Sequence, residues 1–564
     1  MKSLRILIPV LAALLFTSLF AQEAPKPPVD DAKGELFTQV FDVRADFLSL
    51  GGTTEPIPDA PFTDEDSNKP ATAQDILEAA GVTFPEGASV LYSQPASQLM
   101  VRNTKFNLGV IQTFLEQNSG EISEAADDAV TVRQIAIMVE YYQLDARTAN
   151  RQLRDYRSTR RADATDLHDA LSEMVNAKKA KRIGSGYLVT RSGQRAKIES
   201  IVEHIYPTEF DPPEVVPDLA GPVDSDVRLM TNMTPTAFET RNIGLTIEVD
   251  PVLGNDHATV DLNIAAEIAE LVGDRYLGQN ETRMSKPVFN TLNDSTTLTL
   301  QSGDWAFLGI HRPSPSMAEL NASGAETSSG DESIIALARA DVIALEMDSS
   351  DSSAQTTGTV VISSLAEYIE VEEADAAELL ASLAKSGSSR ALREELEGRI
   401  DSGGARLIEM ASVTTRSGQR AKSHSTSEWI YPTEMDPPGI PKVLKGPIKK
   451  GNNLITPLTY TAFDTRNIGT TLEVDPVAGP GGLAVDINIA PAIVAHLGEN
   501  KYGSQESQAE MPIFATIKTS TAVTLRGNDP LLISVYMPIN KRSRKPDPDK
   551  RVFLFLSATT LQAD

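Results

Sequence analysis

The sequence predicts an α+β chain: a small α/β module followed by two homologous, mainly antiparallel β domains, each preceded by a charged helical segment. Three observations predict it. First, the octet TRSGQRAK, Thr190 to Lys197, returns residue for residue at Thr415 to Lys422, an offset of 225. At that offset IYPTE-x-DPP (205–213) returns at 430–438, and TAFETRNIGLTIEVDPV (236–252) returns as TAFDTRNIGTTLEVDPV (461–477). VDLNIA (260–265) returns as VDINIA (485–490), and PVFNT (287–291) as PIFAT (512–516). A constant offset over such a span marks a tandem duplication of one folding unit; two copies are too few for a solenoid. Second, the copies alternate with period 2: Leu245, Ile247 and Val249 on one face, Thr246, Glu248 and Asp250 on the other. That pattern belongs to antiparallel strands with one buried face. Third, charged stretches of helical pattern, 144–180 and 371–400, precede the two β parts at an offset of 227, where Glu140-Tyr141 matches Glu367-Tyr368.

Taken in order, the chain opens with Lys2 and Arg5, an apolar run over 6–20 and a small residue, Ala21. This reads as a secretory signal over 1–21 and predicts export; the run falls short of the roughly 20 residues of a bilayer span. No other long apolar run is present, which leaves β-strands as the membrane route. Residues 22–71 read as a lead-in with one strand at 36–43 and a loop rich in Gly, Pro, Asp and Thr. The stretch 72–118 reads helix, strand, strand, helix. Thr72 or Ala73 opens the first helix, Asn103 or Thr104 caps the second, and Phe106, Val110, Ile111, Phe114 and Leu115 form its apolar face.

An acidic linker follows at 119–128. The first copy spans 130–313, with its β part at 186–313, and the second spans 359–538, with its β part at 410–538. A Ser/Gly/Asp-rich linker, 314–358, is expected between them, and a basic tail with one strand at 539–564.

Composition narrows the chemistry. The 564 residues carry a formal charge of −27 and no cysteine, while 41% are hydrophobic. A packed core is therefore expected, nucleic acid is excluded as a partner, and disulfides, thiolate catalysis and a cysteine zinc site are ruled out. There are six histidines. At offset 225 His204 faces Trp429 and His311 faces Tyr536, so no histidine of the constant-offset region is shared between copies. No HExxH, GxSxG, phosphate-loop or dinucleotide motif occurs. The expectation is a non-enzymatic protein with no catalytic, cofactor-binding or metal residue to name, no cofactor and no small-molecule substrate.

What the copies share is a structural signature: Arg191, Gly193, Arg195, Tyr206, Pro207, Glu209, Arg241 and Gly244, with Arg416, Gly418, Arg420, Tyr431, Pro432, Glu434, Arg466 and Gly469 as counterparts. Gly193 and Gly418 sit in SGQ turns, where positive φ is cheap for glycine. Pro212 and Pro213 end a strand. Glu248, Asp250 and Asp261 could form a carboxylate calcium site, or a strand face with ion pairs to Arg or Lys. The lack of a compact oxygen-rich loop favours the ion pairs.

These motifs together resemble the secretin domain of outer-membrane channel proteins of type II and type III secretion and type IV pilus machines. An SGQRA turn precedes a strand ending near YPTE. NIG-x-T-x-EVDP, VDLNIA, P-x-F-x-T and a Thr-rich strand follow, and TLQSGDWAFLGI (299–310) is similar to the family's last strand. Residues 72–117, notably ASQLMVRNTKFNLGVIQTFLE (96–116), look like a periplasmic ring-building module. The resemblance implies a homo-oligomer, a gated β-barrel shared between subunits, other secretion or pilus components as partners, and a place in the outer membrane or periplasm. The chain departs from the family in carrying two such domains and in lacking the VP-x-LGDIP segment. It also lacks the double glycine, with Leu308-Gly309-Ile310 and Ile533-Ser534-Val535 in its place. Two readings follow: a channel or channel-associated component, or a soluble periplasmic scaffold that reuses the fold.

Overall fold

The computed structural model describes residues 36–43, 73–85, 88–93, 98–118, 129–313, 332–348, 360–451, 453–479 and 484–562. The expected signal, most of the lead-in and the acidic linker 119–128 lie outside the described residues. The chain divides into two compact units, Met1–Ile122 and Ser123–Asp564.

The first unit contains β1 (Leu36–Asp42), α1 (Ala73–Ala79), β2 (Ser89–Ser93), β3 (Gln98–Thr104) and α2 (Lys105–Asn118). Its antiparallel sheet has the order β1-β3-β2. β1, expected in the lead-in, therefore belongs to the module and pairs with β3 along its whole length. Ile76, Leu77, Leu108 and Ile111 from the helices meet Phe41, Leu99 and Val101 from the sheet. Thr104 caps α2, its Oγ1 accepting from the Asn107 amide at 3.4 Å. One expectation shifts here: Phe106 is exposed and Leu108 is buried. A helix that starts at Lys105 aligns positions 108, 111 and 115, and position 106 faces outward.

The second unit holds both copies. The first runs β4 (Ala129–Asp145), α3 (Ala146–Thr159), α4 (Thr165–Asn176), β5 (Ala180–Arg191), β6 (Ala196–Asp211), β7 (Asp218–Ala220), β8 (Thr234–Leu253), β9 (Thr259–Leu277), β10 (Met284–Gln301), β11 (Trp305–His311) and β12 (Glu332–Asp348). The second runs β13 (Val360–Glu372), α5 (Glu373–Ser386), α6 (Ser389–Ser402), β14 (Ala405–Arg416), β15 (Ala421–Asp436), β16 (Val443–Lys445), β17 (Thr459–Ala478), β18 (Ala484–Ile489), β19 (Ala492–Tyr502), β20 (Ala509–Arg526), β21 (Leu531–Tyr536), β22 (Ile539–Asn540), β23 (Lys545–Pro546) and β24 (Lys550–Gln562). The single strand β9 becomes two strands, β18 and β19, because Pro491 interrupts the ladder where the first copy has Ala266.

Two antiparallel sheets result. One has eight strands in the order β11-β12-β4-β5-β21-β24-β13-β14. The other has nine and follows β10-β9-β8-β15-β17-β18-β20-β19, with β6 pairing both β8 and β20. Their inner faces share one apolar core. It contains Ile135, Ile137 and Leu188 from the first sheet, and Ile198, Ile247, Val523 and Leu525 from the second. In that core Leu245, Ile247 and Val249 are buried, as the alternation predicts.

The stretch expected to link the copies is largely structural. Glu332–Asp348 is a strand, β12, that pairs along its full length with β4 and borders β11. β24, expected as a strand in a tail, holds the same place in the second copy, between β13 and β21. Each copy thus ends one strand later than the repeated motifs indicate. Ile334, Ile335, Ala336, Leu337 and Ala338 are all buried. A strand covered on both faces loses the period-2 pattern by which strands are recognised.

Candidate assembly interface between the two copies

The signature residues build each copy in the same way. In the SGQ turn Gly193 has φ +70° and its amide donates to Pro251 O at 2.8 Å; Gly418 has φ +76° and donates to Pro476 O at 2.8 Å. Arg195, beside the turn, lies 3.4 Å from Glu248 and 3.8 Å from Asp250, and Arg420 lies 3.4 Å from Glu473 and 3.9 Å from Asp475. Gly244 and Gly469, at φ +128° and +129°, cross the neighbouring strand so closely that a Cβ would come 2.2 Å from the carbonyl oxygens of Ser200 and Ser425. Tyr206 and Tyr431 donate to Glu239 (3.5 Å) and Asp464 (3.4 Å). Pro207 and Pro432 stand at bulges just before Glu209 and Glu434, where the ladders to β8 and β17 slip by a residue. β6 and β15 end at Asp211 and Asp436, immediately before the Pro-Pro pairs.

These placements settle the geometry of the carboxylates considered for calcium. Glu248 and Asp250 face Arg195. Asp261 sits opposite Val252 on the next strand and accepts from Thr299 Oγ1 at 2.6 Å. The three do not converge on one point. The strand face with cross-strand ion pairs is the arrangement present.

The copies themselves are joined edge to edge. β6 of the first pairs antiparallel with β20 of the second, from Lys197↔Ser520 to His204↔Ile513. β5 pairs with β21 at Leu188↔Ser534 and Tyr187↔Val535. β7 pairs with β16 in parallel, each residue against its own counterpart: Asp218↔Val443, Leu219↔Leu444, Ala220↔Lys445. Side chains reinforce the seam. Arg466 grips Glu203, with Nε at 3.0 Å from Oε2, and donates to Thr516 Oγ1 at 3.1 Å. Arg191 reaches Asp486 at 3.2 Å, which also accepts from Thr524 Oγ1 at 2.5 Å. The buried Gln134 amide spans the seam twice, accepting from the Thr524 amide and donating to the Thr524 carbonyl, both at 2.9 Å.

Behind this seam lies an ionic chain, Glu140–Arg182–Glu373–Arg551, that crosses between copies, with Glu140 and Arg551 buried and Arg182 and Glu373 partly buried. Arg182 is 3.1 Å from Glu140 and also pairs with Glu373, while Arg551 is 2.8 Å from Glu373. His168, stacked on Trp305 at 3.9 Å, stands 3.2 Å from Glu140. Burial pushes the Glu140 carboxyl up, but Arg182, His168 and the Tyr142 hydroxyl outweigh it and hold it at about 2. Burial raises Glu373 and lowers Arg551. On β6, His204 lies 3.3 Å from Asn500 Nδ2 and 3.4 Å from the Tyr502 hydroxyl; burial first, then Arg544, lowers it to about 4.

Sequence reasoning brought Arg191 and Arg466 forward as residues shared by the copies. It missed Glu203, Gln134 and the ionic chain. Glu203 had a readable signal, since Glu428 stands at offset 225. The ionic chain had none, because position 407, the counterpart of Arg182, is Leu407.

No protein-family model matches the chain, and no curated protein matches it. Among solved structures, the chain is similar to the secretin-domain β-barrel of InvG from the Salmonella SPI-1 injectisome, at 11% identity and TM-score 0.23, with 55% of this chain and 88% of that chain covered. It is similar to the V. cholerae type IV competence pilus secretin PilQ, at 10% identity and TM-score 0.17, covering 94% and 78%. It is also similar to the type II secretin GspD of enteropathogenic Escherichia coli, at 12% identity and TM-score 0.22, covering 54% and 87%.

Proposed function

We propose that this chain is a non-enzymatic, secretin-like component of a bacterial protein secretion or type IV pilus system that oligomerises through its β domains at or near the outer membrane. The observation that carries the reading is the seam between copies. Two units of one motif order join by backbone pairing of β6 with β20 and of β5 with β21. Pairing between units is thus an association this fold already makes. The order of secretin-like motifs and the expected export signal support the same reading. The sixteen signature residues serve it by shaping turns, crossings and seam contacts. Among the described residues no helix is long and apolar enough to cross a membrane, and the membrane contact, where made, falls to strands.

A soluble periplasmic scaffold is the second reading. It is favoured by the departures at 308–310 and 533–535, where the double glycine is missing. Fractionation of the native cell, followed by mild-detergent electrophoresis without boiling, separates the two. A heat-resistant, high-mass band in the outer membrane supports the first reading. A soluble periplasmic species of one chain's mass overturns it.

A further inference from the structure

The seam between copies joins two different edges: the β5/β6 edge of one unit meets the β20/β21 edge of the other. Such a contact is heterologous, and it leaves the opposite edge of each unit without a strand partner over most of its length. The open edges are β14 and β15 in the second copy, counterparts of β5 and β6, and β10 and β11 in the first, counterparts of β20 and β21; β15 meets β8 at the single pair Glu434↔Ala237, beyond the stretch 422–429. In the sheet orders β11 and β14 stand at the two ends of one sheet and β10 at an end of the other. Residues buried at the seam have exposed counterparts there: Ile205 is 5% exposed but Ile430 is 64%, and Val535 is 2% exposed but Ile310 is 46%.

Both halves of each seam ion pair are also present, apart from one another. Glu203–Arg466–Thr516 is mirrored by Glu428 on one free edge and by Arg241, donating to Thr291 at 3.1 Å, on the other. Arg191–Asp486–Thr524 is mirrored by exposed Arg416 and by exposed Asp261 with Thr299 at 2.6 Å.

We propose that the partner of these edges is a second copy of this chain, docked in the register of the internal seam. β15 of one chain pairs antiparallel with β10 of the next, from Lys422↔Ser295 to Trp429↔Val288, and β14 with β11 at Val413↔Gly309 and Ser412↔Ile310. Glu428 then meets Arg241 of the next chain, displacing its present partner Glu267, which lies 3.0 Å away. Arg416 meets Asp261. β16 extends the parallel β7–β16 pair without slip, so each added chain contributes two units related as its own two are. The proposal rests on the assembly reading above and adds its register and its partner surface.

The absence of cysteine makes cross-linking the test. The full chain carrying Asn293→Cys and His424→Cys, which face each other in this register, is oxidised in its assembled state. A ladder of cross-linked chains is expected. The pair Asn293→Cys with Thr426→Cys, two residues out of register, is expected to cross-link at least tenfold less. In parallel, Glu428→Arg is expected to shift the protein to single chains by light scattering, and adding Arg241→Glu to restore the assembly. An assembled protein that cross-links equally at both pairs, or at neither, overturns the register while leaving the assembly reading intact. A protein that is a single soluble chain in the fractionation overturns both.

Discussion

Glu203 and Arg466 lie 263 positions apart and in different copies, yet their carboxylate and guanidinium meet side by side, Nε to Oε2 at 3.0 Å, with Thr516 closing the group. The pair is partly buried, which makes it worth more than an exposed pair and less than a fully desolvated one. A cycle of Glu203→Gln, Arg466→Met and the double variant, followed by urea unfolding of the full chain, is expected to give a coupling of about 1–2 kcal/mol. Simple additivity of the two single effects would show that the pair does not fasten the seam.

His204 sets the acid side of stability. Its folded value of about 4 lies below the ordinary 6.5 because burial, then Arg544, disfavours the cation. The neutral ring therefore stabilises the fold above pH 6.5, and that contribution is lost as pH falls toward 4. Between pH 7.5 and 5 the loss amounts to about 2 kcal/mol. His204→Gln is expected to flatten this slope in denaturation measured across that range. Glu140, held at about 2, contributes in full above its unfolded value of 4.5, and that contribution is lost only as pH falls from there toward 2.

Two glycines of the signature are expected to differ in tolerance. Gly193 has open space around a Cβ, so Gly193→Ala meets only the backbone cost, about 1 kcal/mol. At Gly244 the Cβ would strike the Ser200 carbonyl as well, and Gly244→Ala is expected to cost about 3 kcal/mol or more. Thermal melts of the two variants give the order, and a reversed order contradicts the close strand crossing.

Arg551 is 2% exposed and faces Glu373. Arg551→Met leaves that partly buried carboxylate with only Arg182 for compensation, at an expected cost of about 2 kcal/mol. Adding Glu373→Gln is expected to recover at least half of it in the same unfolding assay. No recovery would mean that lost packing of the long side chain dominates.

Much of this architecture was legible because duplication is a strong signal. The constant offset marked the units, and alternation at Leu245, Ile247 and Val249 gave the buried face. The helical hairpins were legible too: the charged stretch 144–180 contains α3 and α4. β12 and β24 were not legible as parts of the copies. Both are apolar on both faces, and β12 is flanked by Ser/Gly-rich sequence that reads as linker. The seam was legible only in half. Arg191 and Arg466 recur between copies, but Gln134 and Arg182 act on backbone and on charges hundreds of positions away, which no local pattern encodes.

The covalent tie between the copies has a consequence for assembly rates. Within one chain the β6–β20 seam closes intramolecularly, at an effective concentration set by the connection between units and not by expression level. Dilution leaves that seam untouched, whereas any contact between chains follows mass action. A closed assembly of such chains contains an even number of units and loses them two at a time. Its seams fall into two kinetic classes, one insensitive to protein concentration and one governed by it.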